Sequence, residues 1–154
     1  MSQVIIIPTT TTVIINTTGI PPLPGTIGEQ IRSFLDSTSA LSLTSGVIKT
    51  VTSITLTPGI WDVTAIADFT SPGLTATVMK AAISDTINSF ATTVQGDNKL
   101  NSNAFPTTGN NAYIVIPAFR INVTATHTWY LVSSCAFTAG SISAYGRLSA
   151  VRVA

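Results

Sequence analysis

The residues best placed by type and spacing to do chemistry are two carboxylates, Asp62 and Asp68, in one stretch of alternating pattern. An even spacing in an extended strand puts both side chains on the same face. Glycoside hydrolysis uses two carboxyl groups that face each other across a cleft. No further acidic residue clusters with this pair, and burial without a partner would be costly. The sequence therefore favours turn capping, or an ion pair with Arg147 or Arg152, over catalysis.

Nucleophilic and metal chemistry depend on His127 and Cys135, which are the only histidine and the only cysteine. A metal site needs several converging ligands, and a nucleophile needs a nearby base. One histidine and one distant cysteine supply neither arrangement. We therefore expect no enzyme activity, no cofactor and no metal site. His127 is predicted to be a surface or hydrogen-bonded side chain, and Cys135 a small core filler.

The two tryptophans, Trp61 and Trp129, are candidates for a sugar-binding platform. Each lies in a strand pattern with a period of two, which favours packing in a core. Two tripeptides, Asn16-Thr-Thr18 and Asn122-Val-Thr124, match the glycosylation acceptor. Without a secretory signal, both are expected to be chance matches in a Thr-rich chain.

Composition limits the function further. Charged residues make up only 8 % of the 154 residues, the net charge is +1 and hydrophobic residues make up 45 %. The mean hydropathy is +0.46. So few, balanced charges give no nucleic-acid footprint, and no apolar run approaches the ~20 residues that cross a bilayer. A surface with so little charge is poorly protected against association. We infer that much of it is buried in an assembly.

The elements that must position these side chains are predicted to be strands of one all-β domain. Pro58-Gly59 is a tight-turn signal between a strand at 51–56 and a second strand that follows. This strand–turn–strand is predicted to be a hairpin that sets the register of the body. Alternation in the second strand and at 126–137 gives two inward faces. The predicted core residues are Trp61, Val63, Phe69, Trp129, Leu131 and Phe137.

The remaining segments complete a set of seven to nine strands, typical of a sandwich or barrel. Residues 26–35 fit a strand, with a short helix as the alternative, because Thr26 and Glu29 also match a capping box. Residues 85–111 are loop-rich. Pro117 is predicted to interrupt a strand at an edge or bulge. A hairpin turn at 138–141 should lead into the last strand, which ends at 153.

Residues 1–25 differ from the body at 26–154. They contain two β-branched runs and no charged side chain. The apolar residues of these runs are Val4, Ile5, Ile6, Ile7, Val13, Ile14 and Ile15. Such a segment favours an extended backbone and, left unpaired, would be an aggregation hazard. We expect an anchoring arm that pairs with its own body, a sister subunit or a neighbouring protein by strand addition.

Five stretches carry a resemblance to a known family. They are SLTSGV (42–47), VTSITLTPGIWDV (51–63), IPA (116–118), WYLVSS (129–134) and AFTAGSISAYGRLSAVR (136–152). Together they resemble small bacteriophage virion proteins with a jelly-roll body of the tumour necrosis factor-like type. The family often ends in a basic dipeptide, where this chain has Arg152 alone.

The resemblance implies an antiparallel jelly-roll β-sandwich that forms a homotrimer. Such proteins are found as capsid decoration (cement), head-fibre and tail-fibre proteins. The expected function is therefore decoration of a capsid in the virion, assembled in the host cytoplasm, with the arm binding the major capsid protein or another virion protein. The alternative is a receptor-binding tip or fibre that contacts host glycans through residues 85–111. No nucleic acid and no membrane are expected as partners.

Overall fold

The computed structural model describes residues 22–70, 76–91, 93, 96–103, 111–138 and 140–154. The arm residues from Val4 to Ile15 lie outside these ranges. Nine strands are present in the described part of the chain. They are β1 (Gln30–Leu35), β2 (Leu41–Leu43), β3 (Lys49–Leu56), β4 (Gly59–Thr70), β5 (Ala76–Ser84), β6 (Lys99–Asn103), β7 (Asn111–Val123), β8 (His127–Phe137) and β9 (Ile142–Arg152).

The strands form two antiparallel sheets that pack as a sandwich. Sheet A has the order β1-β9-β4-β7, and β2 continues β1 along the same edge of β9. Sheet B has the order β3-β8-β5-β6. This is the arrangement of an eight-stranded jelly roll in which β1 and β2 are two pieces of one strand. A short 3-10 turn at Ser37–Ser39, capped by Asp36, separates the two pieces. The predicted all-β jelly-roll sandwich is confirmed.

Two predicted hairpins are wrong. The strand before Pro58-Gly59, β3, pairs with β8 in sheet B, whereas the strand after it, β4, pairs with β7 and β9 in sheet A. The chain likewise changes sheets between β8 and β9. In each case the turn is a corner between layers, because both strands must turn an apolar face toward the same core. A period of two identifies that face but not the hydrogen-bonded neighbour.

Local predictions along the chain have mixed outcomes. Residues 30–35 form a strand, as preferred over a helix, while Thr26 and Glu29 belong to the turn that precedes it. Pro117 lies on the edge strand β7 beside a register shift, as predicted. The loop-rich segment 85–111 also contains β6, which the sequence pattern did not indicate. Its few apolar side chains gave too weak an alternation.

The core fills the space between the two sheets. Trp61, Val63, Phe69 and Leu131 are fully buried within it. Trp129 and Phe137 are partly buried and pack against it. Along β4, side chains alternate strictly between buried and half-exposed positions. The half-exposed set of β4 therefore lies on the outer face of sheet A.

Candidate interaction surface

The two carboxylates that suggested chemistry do not form a cleft. Asp62 accepts two hydrogen bonds from Arg120, at 2.8 Å from Nε and 3.0 Å from Nη2. These bonds hold the pKa of Asp62 below its ordinary value. The predicted partners, Arg147 and Arg152, are wrong, because β7 lies directly beside β4 and places Arg120 opposite Asp62. Among the described residues, no three His, Cys, Asp or Glu side chains converge on a possible metal site.

The other two residues considered for catalysis or metal binding, His127 and Cys135, lie in surroundings that do not suit either role. His127 is exposed, and its Nε2 lies 3.2 Å from the carbonyl oxygen of Asp85. Cys135 is buried in the core, and burial raises its pKa to about 11. At neutral pH this thiol is protonated, so it is a poor nucleophile.

The cationic residues are divided between the sheets by type. All four arginines of the sequence are in sheet A, on β1, β7 and β9, and all three lysines are in sheet B. The arginines are Arg32, Arg120, Arg147 and Arg152, and the lysines are Lys49, Lys80 and Lys99. Protein interfaces are enriched in arginine and aromatic residues and depleted of lysine. Three of the four arginines are exposed, since only Arg152 is buried, so the surface of sheet A has the arginine enrichment of an interface.

The outer face of sheet A also exposes large apolar side chains. One row across the sheet runs Phe34, Arg147, Ile66 and Val115, because each residue pairs directly with the next. Phe34 is 64 % exposed and Val115 is 47 % exposed. In the next row Tyr145, Asp68 and Tyr113 are neighbours, and Tyr113 is 69 % exposed. These two rows form a mixed aromatic, aliphatic and arginine surface that faces solvent.

Asp68 stands in the middle of this surface. It lies between two tyrosines in register, and burial raises its pKa above the ordinary value. No ion pair involves it among the described residues. A carboxylate that loses water contacts without gaining a cation is a cost to the isolated subunit. A partner that supplied a cation or a hydrogen-bond donor to Asp68 would remove this cost.

Part of the outer face of sheet B, over β8, is covered by the chain itself. Asn88, beyond the end of β5, exchanges hydrogen bonds with Thr50 on β3, at 2.7 and 3.0 Å. Since β8 lies between β5 and β3, residues 85–88 pass over its outer side. Val132 and Ala82 point outward in this region and yet are fully buried. Among the described residues, the outer face of sheet A is therefore the more open of the two faces.

The base of the N-terminal arm is held at one end of sheet A by a buried ion pair. Arg152 Nε donates to Glu29 Oε2 at 3.0 Å, and both residues are buried. The other guanidinium nitrogens of Arg152 donate to the carbonyl oxygen of Pro58 and to Thr57 Oγ1. The guanidinium carbon also lies 4.3 Å from the centroid of the Trp61 ring. One cation thus joins the arm base, the β3–β4 corner and the last strand.

Exposed apolar residues continue from this base onto the body. Leu23 and Ile27 are both more than 60 % exposed, and Val151 on the adjacent part of β9 is also exposed. Glu29 Oε2 also accepts a hydrogen bond from the Gly25 backbone N–H at 2.7 Å. The segment that leads to the arm is thus fixed by polar contacts while its apolar side chains face outward.

The sequence matches no protein-family model and no curated protein. The solved structures that are similar in fold at low identity include the following two. One is the structure of the infectious bursal disease virus Gx strain, with 16 % identity, a TM-score of 0.46 and coverage of 81 % of this chain and 30 % of that chain. The other is the infectious bursal disease virus VP2 subviral particle, with 14 % identity, a TM-score of 0.43 and coverage of 82 % and 30 %. This chain spans less than a third of either, and both similarities are too distant to inform on function.

Sequence reasoning did not identify the outer face of sheet A as a candidate surface. Its residues lie on β1, β4, β7 and β9, which are far apart along the chain. The sequence alone did carry one signal, since the arginines and all three tyrosines fall in strands other than those that hold the lysines. Only the sheet order shows which of those strands share a face.

No helix in the described part of the chain is long and apolar enough to cross a membrane.

Proposed function

We propose that this protein is a non-enzymatic structural protein of a virion, and that it decorates the capsid of a bacteriophage as a homotrimer. The observation that carries the proposal is the open, lysine-free outer face of sheet A, with Phe34 and Tyr113 both more than 60 % exposed. The charge content of 8 % supports the proposal, because a surface with so few charged residues tends to associate and is better accommodated when it is buried in an assembly.

The size of this face suits a subunit interface. Four strands spaced ~4.8 Å apart are about 19 Å wide, and the eleven residues of β9 are about 37 Å long at ~3.4 Å each. The face therefore offers about 700 Å², close to the ~800 Å² that each partner buries in a standard protein interface. In the proposed trimer, subunits associate through this face.

The arm is proposed to attach the trimer to the major capsid protein or another virion protein. Residues 1–21 could span up to about 70 Å when extended, at ~3.3 Å per residue. That length exceeds the ~44 Å of the longest strand, the 13-residue β7, so the arm can reach a neighbouring protein. Burial of its valines and isoleucines, at ~25 cal/mol per Å², would give attachment without chemistry.

Polar substitution of the open face should dissociate the trimer. In the double variant Phe34→Ser, Tyr113→Ser we expect a monomer in sedimentation equilibrium at concentrations where the natural protein is a trimer. The unfolding curve of the monomer should change little, because both side chains are exposed. The matched control is Ile87→Ser, 57 % exposed on the side of sheet B, which should leave the mass unchanged. A trimer in the double variant would contradict the assignment of this face.

Removal of the arm should abolish capsid binding and leave the body intact. We expect the protein lacking residues 1–21 to fold and to keep its oligomeric mass, because the arm base from Gly25 to Glu29 keeps its hydrogen bonds. Binding is measured by co-sedimentation with capsids that lack the protein. A full-length variant with Ile5, Ile6 and Ile7 changed to threonine tests whether the apolar side chains matter rather than the length. Undiminished binding by both variants would contradict the anchoring role.

A further inference from the structure

A polar cleft lies at one end of the sandwich, and its Asn122 is nine residues along β7 from Tyr113. It has a volume of about 300 Å³ and is formed where β7 turns into β8, together with the residue that follows β5. Its polar and aromatic lining consists of Asp85, Asn122, Thr124, Thr126, His127 and Trp129. Ligand sites in proteins begin at about this volume, which suits one or two sugar units.

The aromatic part of the cleft is a perpendicular pair. The rings of His127 and Trp129 have centroids 5.8 Å apart at an interplanar angle of 80°. Trp61 is fully buried in the core, so of the two tryptophans only Trp129 contributes to a cleft wall. Trp129 Nε1 is buried, and no residue in the described part of the chain accepts its hydrogen bond. A buried N–H group normally has a hydrogen-bond acceptor, so the lack of an acceptor for Trp129 Nε1 requires an explanation.

The hydrogen bonds within the protein determine which polar groups of the cleft can act as donors and which as acceptors toward a ligand. Because the Asp85 carbonyl oxygen can only accept, His127 donates to it through Nε2. In the neutral imidazole this leaves Nδ1 as an acceptor. The side chains of Asn122, Thr124 and Thr126 are exposed and add both donors and acceptors. The cleft thus presents closely spaced groups of both kinds beside an aromatic ring.

Charge narrows the class of ligand. No lysine or arginine lines the cleft, so it offers no cation to an anion, and the one acidic residue in its lining is Asp85. Phosphates, nucleotides and acidic sugars are therefore disfavoured. A neutral sugar combines hydroxyl groups, which both donate and accept, with apolar C–H faces that pack on aromatic rings. We propose that this cleft binds a neutral carbohydrate, a function beyond the structural role and independent of it.

The test is titration of the full-length protein with glucose, galactose, mannose and N-acetylglucosamine, followed by the indole N–H signals in proton–nitrogen NMR spectra. We expect at least one sugar to shift the Trp129 signal saturably and to leave the Trp61 signal in place. Glucuronic acid should bind at least about tenfold more weakly than its neutral counterpart, glucose. No saturable shift with any neutral sugar, or stronger binding of glucuronic acid, would overturn the proposal.

Two variants locate the site. Asn122→Ala and His127→Ala each remove one polar group from the cleft and should weaken binding by about fivefold to tenfold. Tyr130→Phe is the matched control, because this side chain lies on the opposite face of β8 from Trp129, and its binding should be unchanged. Equal affinity in all three variants would place the bound sugar elsewhere and overturn the assignment. Capsid binding and oligomeric mass should be unaffected throughout, which separates this proposal from the structural one.

Discussion

Replacing Gly146 with alanine is expected to lower the free energy of unfolding by at least about 3 kcal/mol. Gly146 lies within β9, between Leu35 of β1 and Ala67 of β4. A Cβ atom here would overlap the carbonyl oxygen of Ile66, and its φ of +151° is a conformation that L residues rarely adopt. The obstructing atom is backbone in the middle of sheet A, so it cannot move without breaking the β4–β9 ladder.

Equilibrium denaturation in urea, followed by tryptophan fluorescence, measures this effect. The matched control is Gly46→Ala, because Gly46 also has a positive φ, +75°, and an added Cβ there would meet no atom within 4 Å. Only the backbone strain remains at that position, so the loss should be about 1 kcal/mol. Equal losses in the two variants would show that the close approach of β4 and β9 is not the cause.

Replacing Arg152 with methionine is expected to cost about 3–5 kcal/mol of stability, because it leaves the buried carboxylate of Glu29 without its cation. The acceptors at Thr57 and Pro58 would also lose their donors. The matched control is Arg120→Met, since the Arg120–Asp62 pair lies on the surface and should contribute little. Urea denaturation of both variants makes the comparison.

A double-mutant cycle separates loss of the pair from loss of a charge. In Glu29→Gln, Arg152→Met no charge remains buried without a partner. The double variant should therefore lose less stability than the sum of the two single variants. Additive losses, or an Arg152→Met variant no less stable than Arg120→Met, would show that the ion pair does not hold the arm base and the last strand together.

The connection between β3 and β4 shows what a local sequence pattern can and cannot predict. Alternation across 60–69 predicted the inward faces of Trp61 and Phe69, since the period of a strand is a property of consecutive residues. The same pattern wrongly predicted that β3 and β4 form a hairpin. A turn of two residues can either fold a strand back on itself or carry the chain to the other layer. The choice depends on which strands, far along the chain, arrive to pair with each edge.

The same limit applies to charged residues: the sequence shows how many there are, but it does not show which of them form ion pairs. The low charge content and the scarcity of candidate ligands led us to expect assembly rather than catalysis. The partner of Asp62 could not be predicted, because Arg120 is opposite it only through the β4–β7 register. The Glu29–Arg152 pair joins residues 123 apart in the sequence. Such contacts depend on the order of strands in the sheet, and this order cannot be deduced from a short stretch of consecutive residues.

The pattern along the chain was sufficient to predict an all-β fold and the buried sides of β4 and β8, because hydrophobic periodicity is a property of a few consecutive residues. The assembled sheets were needed to show that Arg32 and Arg147 share an open face with Phe34 and Tyr113, while the lysines are in the other sheet. They also show that one tryptophan is core and the other lines a cleft. Surfaces and clefts are made by strands that meet across the fold, so their composition exists only once the sheets are assembled.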